Sequence, residues 1–243
     1  NVGASIAVNA TGSVAVAWIE PGQDLETLWL RRYVAGDGWK APQSVGTSAD
    51  GFQTTAVDID DAGNVLVLGQ QDLPGVPITN DVLVGRYFSL QTNAFSELTE
   101  LVTGYVAAFE GRLDARGSAL VGWTLATGAS GLRFRSAAGI WGTTEPIAGA
   151  TSAVRIRDYA PDAYRVVYSR TPATGTDMDF EGGRYVPSRG LIDVITLEDT
   201  PYGDETPNSL WVASNGRGVL AWLRRMDYGT VTPDLQIRAL LLQ

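Results

Sequence analysis

Residues Ser5–Trp18 read SIAVNATGSVAVAW, two apolar runs of alternating side chains joined by a short turn that contains Gly12. An alternation of period two predicts β-strands with one buried face. Glycine suits a hairpin loop of about three to five residues, because it adopts backbone angles that other residues avoid. The stretch therefore predicts an antiparallel β-hairpin whose second strand ends on an aromatic residue.

The same pattern occurs four more times along the chain. The later copies are Ala56–Gly69, Glu110–Trp123, Arg155–Tyr168 and Ser209–Trp222. Their turn positions, together with that of the first copy, are Gly12, Gly63, Gly117, Asp162 and Gly216. Successive turns are 51, 54, 45 and 54 residues apart. A motif that recurs at nearly constant spacing is typical of a repeat architecture.

Each hairpin is followed by a third apolar run and then by a shorter fourth one, with no helical periodicity. Four short antiparallel strands per repeat predict an all-β fold, a five-bladed β-propeller that forms one domain over residues 1–243. The predicted repeats are 1–50, 51–104, 105–150, 151–203 and 204–243. The fifth ends after its third strand, so we expect a partner strand or residues outside this chain to complete that blade, or a three-stranded closing blade.

The composition excludes several kinds of site. The chain has no cysteine and no histidine, which removes disulfides, Cys/His zinc sites and triads that depend on histidine. A net charge of −9 argues against nucleic acid and anionic membrane surfaces as partners. No apolar run approaches the length of about eighteen residues that membrane insertion needs.

The blade ends carry a resemblance to a known group of repeats. AGDGWKAP at 35–42 and AAGIWGTTEP at 137–146, together with the glycine-turn hairpins, resemble the sialidase-like (BNR-like) propeller repeats of secreted bacterial proteins. The full Ser-x-Asp-x-Gly-x-Thr-Trp box of that family is absent, and Asp37-Gly38-Trp39 matches only its end. The resemblance implies a propeller fold and an extracellular, periplasmic or cell-surface location, without implying sialidase activity.

The connections between second and third strands are longer and more variable than the hairpin turns. Among the longest are Gln70–Thr79 and Arg224–Asp234. Long variable loops on a rigid scaffold often carry binding residues, so we expect the functional face there.

Polar side chains also share one side of the first strands of the repeats. The set comprises Asp58, Glu110, Arg112, Arg155, Arg157 and Trp211. We expect Arg112, Arg155, Arg157 and Trp211 to bind a ligand, because clustered guanidinium groups bind carboxylates and phosphates in a bidentate way. The alternative is that the acids and arginines form structural ion pairs. Asp58 and Glu110 are the candidates for catalysis.

Two further patterns have both a functional and a structural interpretation. Asp58, Asp60 and Asp61 cluster oxygen atoms that calcium would accept, although aspartate is also an ordinary turn residue. Aromatic residues end the second strand of four repeats, at Trp18, Trp123, Tyr168 and Trp222. In the second repeat Gly69 takes this position instead. Such a column either stacks on sugar rings or packs inside the fold.

Three functions are compatible with these patterns. The preferred one is a non-catalytic module of the cell envelope or the extracellular space that binds a glycan or a protein through the loop face and the axis. The first alternative is a glycoside hydrolase of the propeller type, which needs two carboxylates across the scissile bond. The second alternative is a structural subunit of a larger envelope assembly.

Overall fold

The computed structural model describes the backbone of residues 3–73, 81–160, 162–170, 179–198, 203–212, 218–226 and 234–242, and side chains as far as residue 197, except 151–153 and 159. Several predicted features therefore lie outside the described residues. They are the turn at Gly216, the side chains of Trp211 and Trp222, and most of the two long loops predicted to carry function. No helix among the described residues is long and apolar enough to cross a membrane.

The described chain folds into antiparallel sheets, one for each predicted repeat. The first sheet contains β1 Ala4–Val8, β2 Val14–Glu20, β3 Glu26–Val34, β4 Gly38–Trp39 and β5 Gln43–Ser48. The second contains β6 Phe52–Ile59, β7 Val65–Gln71, β8 Val82–Ser89, β9 Ala94–Phe95 and β10 Thr99–Thr103. In both sheets the fourth strand comes in two segments that pair with the same third strand.

The remaining sheets follow the same strand order. The third contains β11 Val106–Leu113, β12 Ala119–Leu125, β13 Ser130–Arg135 and β14 Glu145–Pro146. The fourth contains β15 Ala150–Ala160, β16 Ala163–Arg170, β17 Asp179–Val186 and β18 Gly190–Glu198. The fifth contains β19 Gly203–Val212, β20 Gly218–Met226 and β21 Asp234–Leu242, three strands within the described residues.

The hairpin turns form where the repeat pattern predicts them. Gly12, Gly63 and Gly117 have φ angles of 82°, 86° and 79°, in the left-handed region that favours glycine. Asp162 takes the same conformation in the fourth repeat, with φ 54°, because aspartate tolerates this region better than most residues. In the first three turns an Asn or Asp side chain at the end of the first strand accepts backbone N–H groups of the loop. The turns are thus specified by local chemistry.

An arginine on the third strand holds the end of each of the first three sheets. The Nε groups of Arg31, Arg86 and Arg133 donate to a backbone carbonyl within three residues of the fourth strand, at 3.1, 2.8 and 2.9 Å. The three carbonyls belong to Lys40, Ser96 and Gly142. An arginine recurs at this position of the first three repeats, and this recurrence is the signal in the sequence from which the contact could be predicted.

The chain divides into two compact units, each with its own hydrophobic core. The first comprises residues 1–106, 111–119 and 135–140, and its core includes Leu28, Leu30 and Phe88. The second comprises 107–110, 120–134 and 141–243, and its core includes Ile156 and Tyr164. In both, the members of the core lie at alternate strand positions, as period-two patterning requires, whereas the second strands β7 and β12 are buried on both faces.

Candidate functional site

The candidate site surrounds the connection between β7 and β8 in the second sheet. Gln53 is the second residue of β6, and Gln70 is near the end of β7. Asp72 follows β7 directly, and Asp81 immediately precedes β8. Residues 74–80, the middle of this connection, lie outside the described part of the chain. Strand pairing therefore brings four polar side chains to the base of one of the loops that the sequence predicts to carry function.

One amide group links two carboxylates in this cluster. Nε2 of Gln53 donates to Oδ1 of Asp72 at 2.6 Å and to Oδ2 of Asp81 at 3.2 Å. Because both oxygens contact the same nitrogen atom, they can be no more than about 6 Å apart, the sum of the two lengths. Nε2 of Gln70 donates to Oδ2 of Asp81 at 2.7 Å and to Oε1 of Gln53 at 3.2 Å. The four side chains thus form one connected network.

The environments of the two carboxylates differ. Asp81 and Gln70 are each only 3% exposed, whereas Asp72 is half-buried. Burial raises the pKa of Asp81, and the negative charge of Asp72 raises it further. The hydrogen bonds from Gln70 and Gln53 act in the opposite direction without cancelling the shift. Asp81 therefore retains its proton to a higher pH than an ordinary aspartic acid.

The backbone around the pair is fixed by neighbouring turns. The N–H of Asp72 donates to the carbonyl of Gly51 at 3.1 Å, and the N–H of Gly104 donates to the carbonyl of Asp81 at 2.6 Å. Both glycines have left-handed φ angles, 105° and 130°. A Cβ at Gly51 would also lie 3.1 Å from the carboxylate of Glu26. Each aspartate is thus anchored through its backbone to a neighbouring glycine.

The acids and arginines predicted from the first strands contact the adjacent first strand. Oδ2 of Asp58 accepts the backbone N–H of Leu113 at 2.8 Å, and Oδ1 lies 3.3 Å from Nη1 of Arg112. Asp58 thus binds both a side chain and the backbone of β11. This geometry matches the ion-pair alternative, and a role in ligand binding or catalysis stays a prediction.

Glu110 makes the equivalent contacts one repeat later. Its Oε2 accepts the backbone N–H of Ile156 at 3.1 Å, and its Oε1 accepts a hydrogen bond from Arg157. Arg155 is half-buried on β15, where its backbone pairs with Val167. The backbone of Trp211 belongs to β19, and its side chain lies outside the described residues.

Of the three aspartates considered for calcium, Asp58 lies in β6, and Asp60 and Asp61 belong to the turn between β6 and β7. The Asp60 carboxylate accepts the backbone N–H of Asn64 at 2.8 Å and its side-chain amide at 2.7 Å. Asp61 accepts the backbone N–H of Ala10 at 2.9 Å. In the part of the chain that the structure describes, no three acidic side chains are grouped so that they could hold a metal ion. The three aspartates thus act as turn and strand-linking residues, and calcium binding stays a prediction.

The aromatic column packs inside the fold to different degrees. Trp123 and Tyr168 are 2% and 3% exposed, so neither presents a face to a ligand. Trp18 is half-buried and stacks on Trp29, with 6.3 Å between the ring centroids. A Cβ atom at Gly69 would lie 2.9 Å from Cδ2 of Leu28 and 3.4 Å from the ring of Phe52, so a larger side chain there would have to displace its neighbours. The described members therefore support the packing interpretation.

Comparison with known proteins shows the fold. No protein-family model matches the sequence, and no curated protein matches it. The structure is similar to a polysaccharide lyase described as a PL25 ulvan lyase, solved bound to -[GlcA(1-4)Rha3S]-, with a TM-score of 0.62 and 12% identity over 97% of this chain and 67% of that one. The all-β propeller class predicted from the sequence is confirmed.

Two further structures show the same fold. One is the Penicillium chrysogenum alpha-L-arabinanase complexed with arabinobiose, with a TM-score of 0.52 and 10% identity over 96% of this chain and 80% of that one. The other is the polysaccharide lyase Uly1, with a TM-score of 0.51 and 9% identity over 97% and 56%. The prediction of a non-catalytic binding module is wrong by this comparison, because these similar structures are polysaccharide-cleaving enzymes. The glycoside hydrolase alternative fits them better.

Proposed function

We propose that this protein is a carbohydrate-active enzyme that hydrolyses glycosidic bonds in a polysaccharide, with Asp72 and Asp81 as its catalytic pair. The observation that carries the proposal is the contact of both carboxylates with Nε2 of Gln53. Glycoside hydrolysis requires two carboxyl groups in different protonation states on either side of one bond. These two groups differ in burial, and the pKa of Asp81 is raised.

The environments assign a role to each member of the pair. Asp81 would act as the general acid, because its raised pKa keeps a proton available for the leaving-group oxygen. Asp72, which is half-buried beside the loop, would act as the ionised carboxylate, the nucleophile of the reaction. An upper limit of about 6 Å between the two oxygen atoms fits the roughly 5–5.5 Å spacing of retaining enzymes, in which the carboxylate attacks the anomeric carbon, better than the wider spacing of inverting ones. The proposal therefore includes retention of the anomeric configuration.

The choice of hydrolysis over elimination comes from the available bases. A lyase removes the proton next to a uronate carboxyl group, and this step requires a base with a pKa near the working pH. The chain has no histidine. Burial raises the pKa of Tyr87, Tyr168 and Tyr185, which makes these phenols poorer candidates for activation. A glycan ligand suits both reactions, and the paired carboxylates favour hydrolysis.

The similar structures support a polysaccharide substrate, since their names include an ulvan lyase and an arabinanase. A polymeric substrate does not enter a cell intact, so the proposal includes an extracellular, periplasmic or cell-surface location. In this proposal the resemblance to BNR-like propeller repeats describes only the scaffold. The proposed activity requires neither a protein partner nor a partner strand that completes the fifth blade.

The test is an assay of arabinan and ulvan with the wild type, D72N and D81N. The release of reducing ends measures cleavage of the polymer, and ultraviolet absorbance detects the unsaturated uronates that elimination would form. D60N is the matched control, because Asp60 is 5% exposed and burial also raises its pKa, but it lies at the opposite end of β6 and β7. We expect both site variants to lose at least 100-fold in rate, an effect typical of acid–base residues, and D60N to retain activity.

Three results would contradict all or part of the proposal. Unsaturated products would show elimination rather than hydrolysis. Hydrolysis that survives D72N and D81N but disappears in E110Q would move the site to the first strands. Nuclear magnetic resonance of the first product formed distinguishes retention from inversion, and inversion would remove the nucleophilic role of Asp72.

A further inference from the structure

A cavity of about 610 Å³ opens at the end of the second sheet opposite Asp72 and Asp81. Its walls come from the β6–β7 turn, from residues 87–96 at and after the end of β8, and from residues 137–139, together with the buried Arg135 and the exposed Arg116. All of these residues belong to the first compact unit. A volume of this size is in the range of small-molecule binding sites in proteins.

Arg135 is the buried charge in the wall of this cavity. It is 5% exposed, and its guanidinium lies 3.8 Å from the centre of the Tyr87 ring. Nη1 donates to the carbonyls of Gly117 and Ser136 at 3.3 and 3.4 Å, and Nε has no hydrogen-bond partner. Within the described residues, no carboxylate forms a salt bridge with it. Arg135 is therefore a buried cation without a counter-ion.

A buried charge without a counter-ion is unfavourable, and proteins normally supply one. The chain has 27 acidic residues against 18 basic ones, so acidic side chains are abundant, yet none pairs with this guanidinium in the described chain. Burial lowers the pKa of Arg135, which reflects the same cost of desolvation. An anion in the cavity would remove this cost, because a guanidinium binds carboxylate or sulfate oxygens with two parallel hydrogen bonds.

A second arginine offers an internal comparison. Arg32 is 6% exposed, lies 3.8 Å from the centre of the Phe88 ring and also has an unpartnered Nε. The cavity beside it is smaller, about 250 Å³, and Asp61 lines its wall. Its Nη2 also lies 3.4 Å from Oδ1 of Asn93. The negative charge of Asp61 would repel an anion, so of these two cavities in the described part of the chain, the one at Arg135 combines a buried arginine with a wall free of acidic residues.

We propose that the cavity beside Arg135 binds a saccharide-sized molecule that carries a carboxylate or a sulfate group, with Arg135 as the counter-ion. The remaining wall is suited to a sugar, because the exposed side chains of Gln91 and Thr92 offer amide and hydroxyl groups for its hydroxyls. The site lies at the opposite end of the sheet from the aspartate pair, and the inference does not depend on the proposed hydrolysis.

The test is isothermal titration of the intact chain with glucuronate, glucose 6-sulfate, neutral glucose and inorganic sulfate. We expect the wild type to bind the two acidic sugars, which differ in their anionic group, and to show no binding of glucose. R135M should weaken this binding at least tenfold, whereas R32M, an equally buried and equally stacked arginine, should change it less than twofold. Thermal melting of both variants verifies that they fold.

A second pair of variants keeps the test decisive if R135M does not fold. Ala138 is exposed in the wall of the larger cavity, and Ala35 is exposed in the wall of the smaller one. A138E should abolish binding, because its carboxylate competes for Arg135, and A35E should have no effect. Equal binding by A138E and the wild type, or no binding of either acidic sugar, would overturn the inference. Binding of inorganic sulfate alone would overturn the assignment to a saccharide.

Discussion

A Cβ atom added to Gly117 would lie 2.7 Å from the phenolic oxygen of Tyr87, a distance that no relaxed structure tolerates. Gly117 also has a φ angle of 79° and accepts a hydrogen bond from Arg135 through its carbonyl. The glycine of the third hairpin turn is therefore required twice, once by its own backbone and once by the packing of Tyr87 against the turn.

G117A should accordingly destabilise the fold by about 2–3 kcal/mol, of which the left-handed backbone accounts for about 1–2 kcal/mol. The measurement is the free energy of unfolding in urea. G128A is the matched control, since Gly128 has a φ angle of 86° with no atom within 4 Å of an added Cβ. Equal losses in the two variants would show that the contact with Tyr87 costs nothing.

The raised pKa of Asp81 predicts a specific pH dependence of stability. A carboxyl group with a higher pKa in the folded state binds its proton more tightly there, so its favourable contribution is complete below the ordinary aspartate pKa of about 3.9 and is lost as the pH rises through the folded-state value. D81N, which cannot ionise, should therefore gain stability relative to the wild type as the pH rises towards neutrality. Urea unfolding at several pH values measures this difference. A difference that is independent of pH would contradict the shift.

Gln53 should control the ionisation of the proposed acid. Its hydrogen bond to Asp81 lowers the pKa of that carboxyl, so Q53L should raise it further and move the alkaline limb of the pH–activity profile to higher pH. The rate at the optimum should also fall, because Gln53 positions Asp72. A profile with unchanged limbs and reduced rate would assign Gln53 a role in positioning alone.

Glu110 tests the structural interpretation of the first-strand charges. E110Q removes the charge that pairs with Arg157 but retains an oxygen for the N–H of Ile156, so we expect a loss of about 1–2 kcal/mol in unfolding free energy. Activity per folded molecule should remain. D37N, which breaks the exposed pair with Lys40, should change stability by less than about 0.5 kcal/mol. Abolished activity in a fully folded E110Q protein would favour the original catalytic assignment.

Much of the fold is predictable because its signals are local. The hairpin turns at Gly12, Gly63 and Gly117 combine a residue that tolerates a positive φ with an Asn or Asp that hydrogen-bonds its own loop. Asp162 shows that the same conformation forms without glycine, which the repeat register predicts and residue preference alone does not. The division of the fourth strand into two segments in the first two sheets was not predictable, since strands of two residues have no period to detect.

Alternation and turn chemistry act over a few residues, so the repeats, the hairpins and the loop beside the candidate site can be predicted from the sequence. Which polar groups share that site depends on contacts between residues that are distant along the chain. The register of β6, β7 and β8 places Gln53 against both Asp72 and Asp81, and packing places Arg135 on Tyr87, 48 residues earlier in the chain. Burial changes the pKa of Asp81 and leaves Arg135 without a counter-ion, and burial is a property of the folded chain that no local pattern of residues specifies.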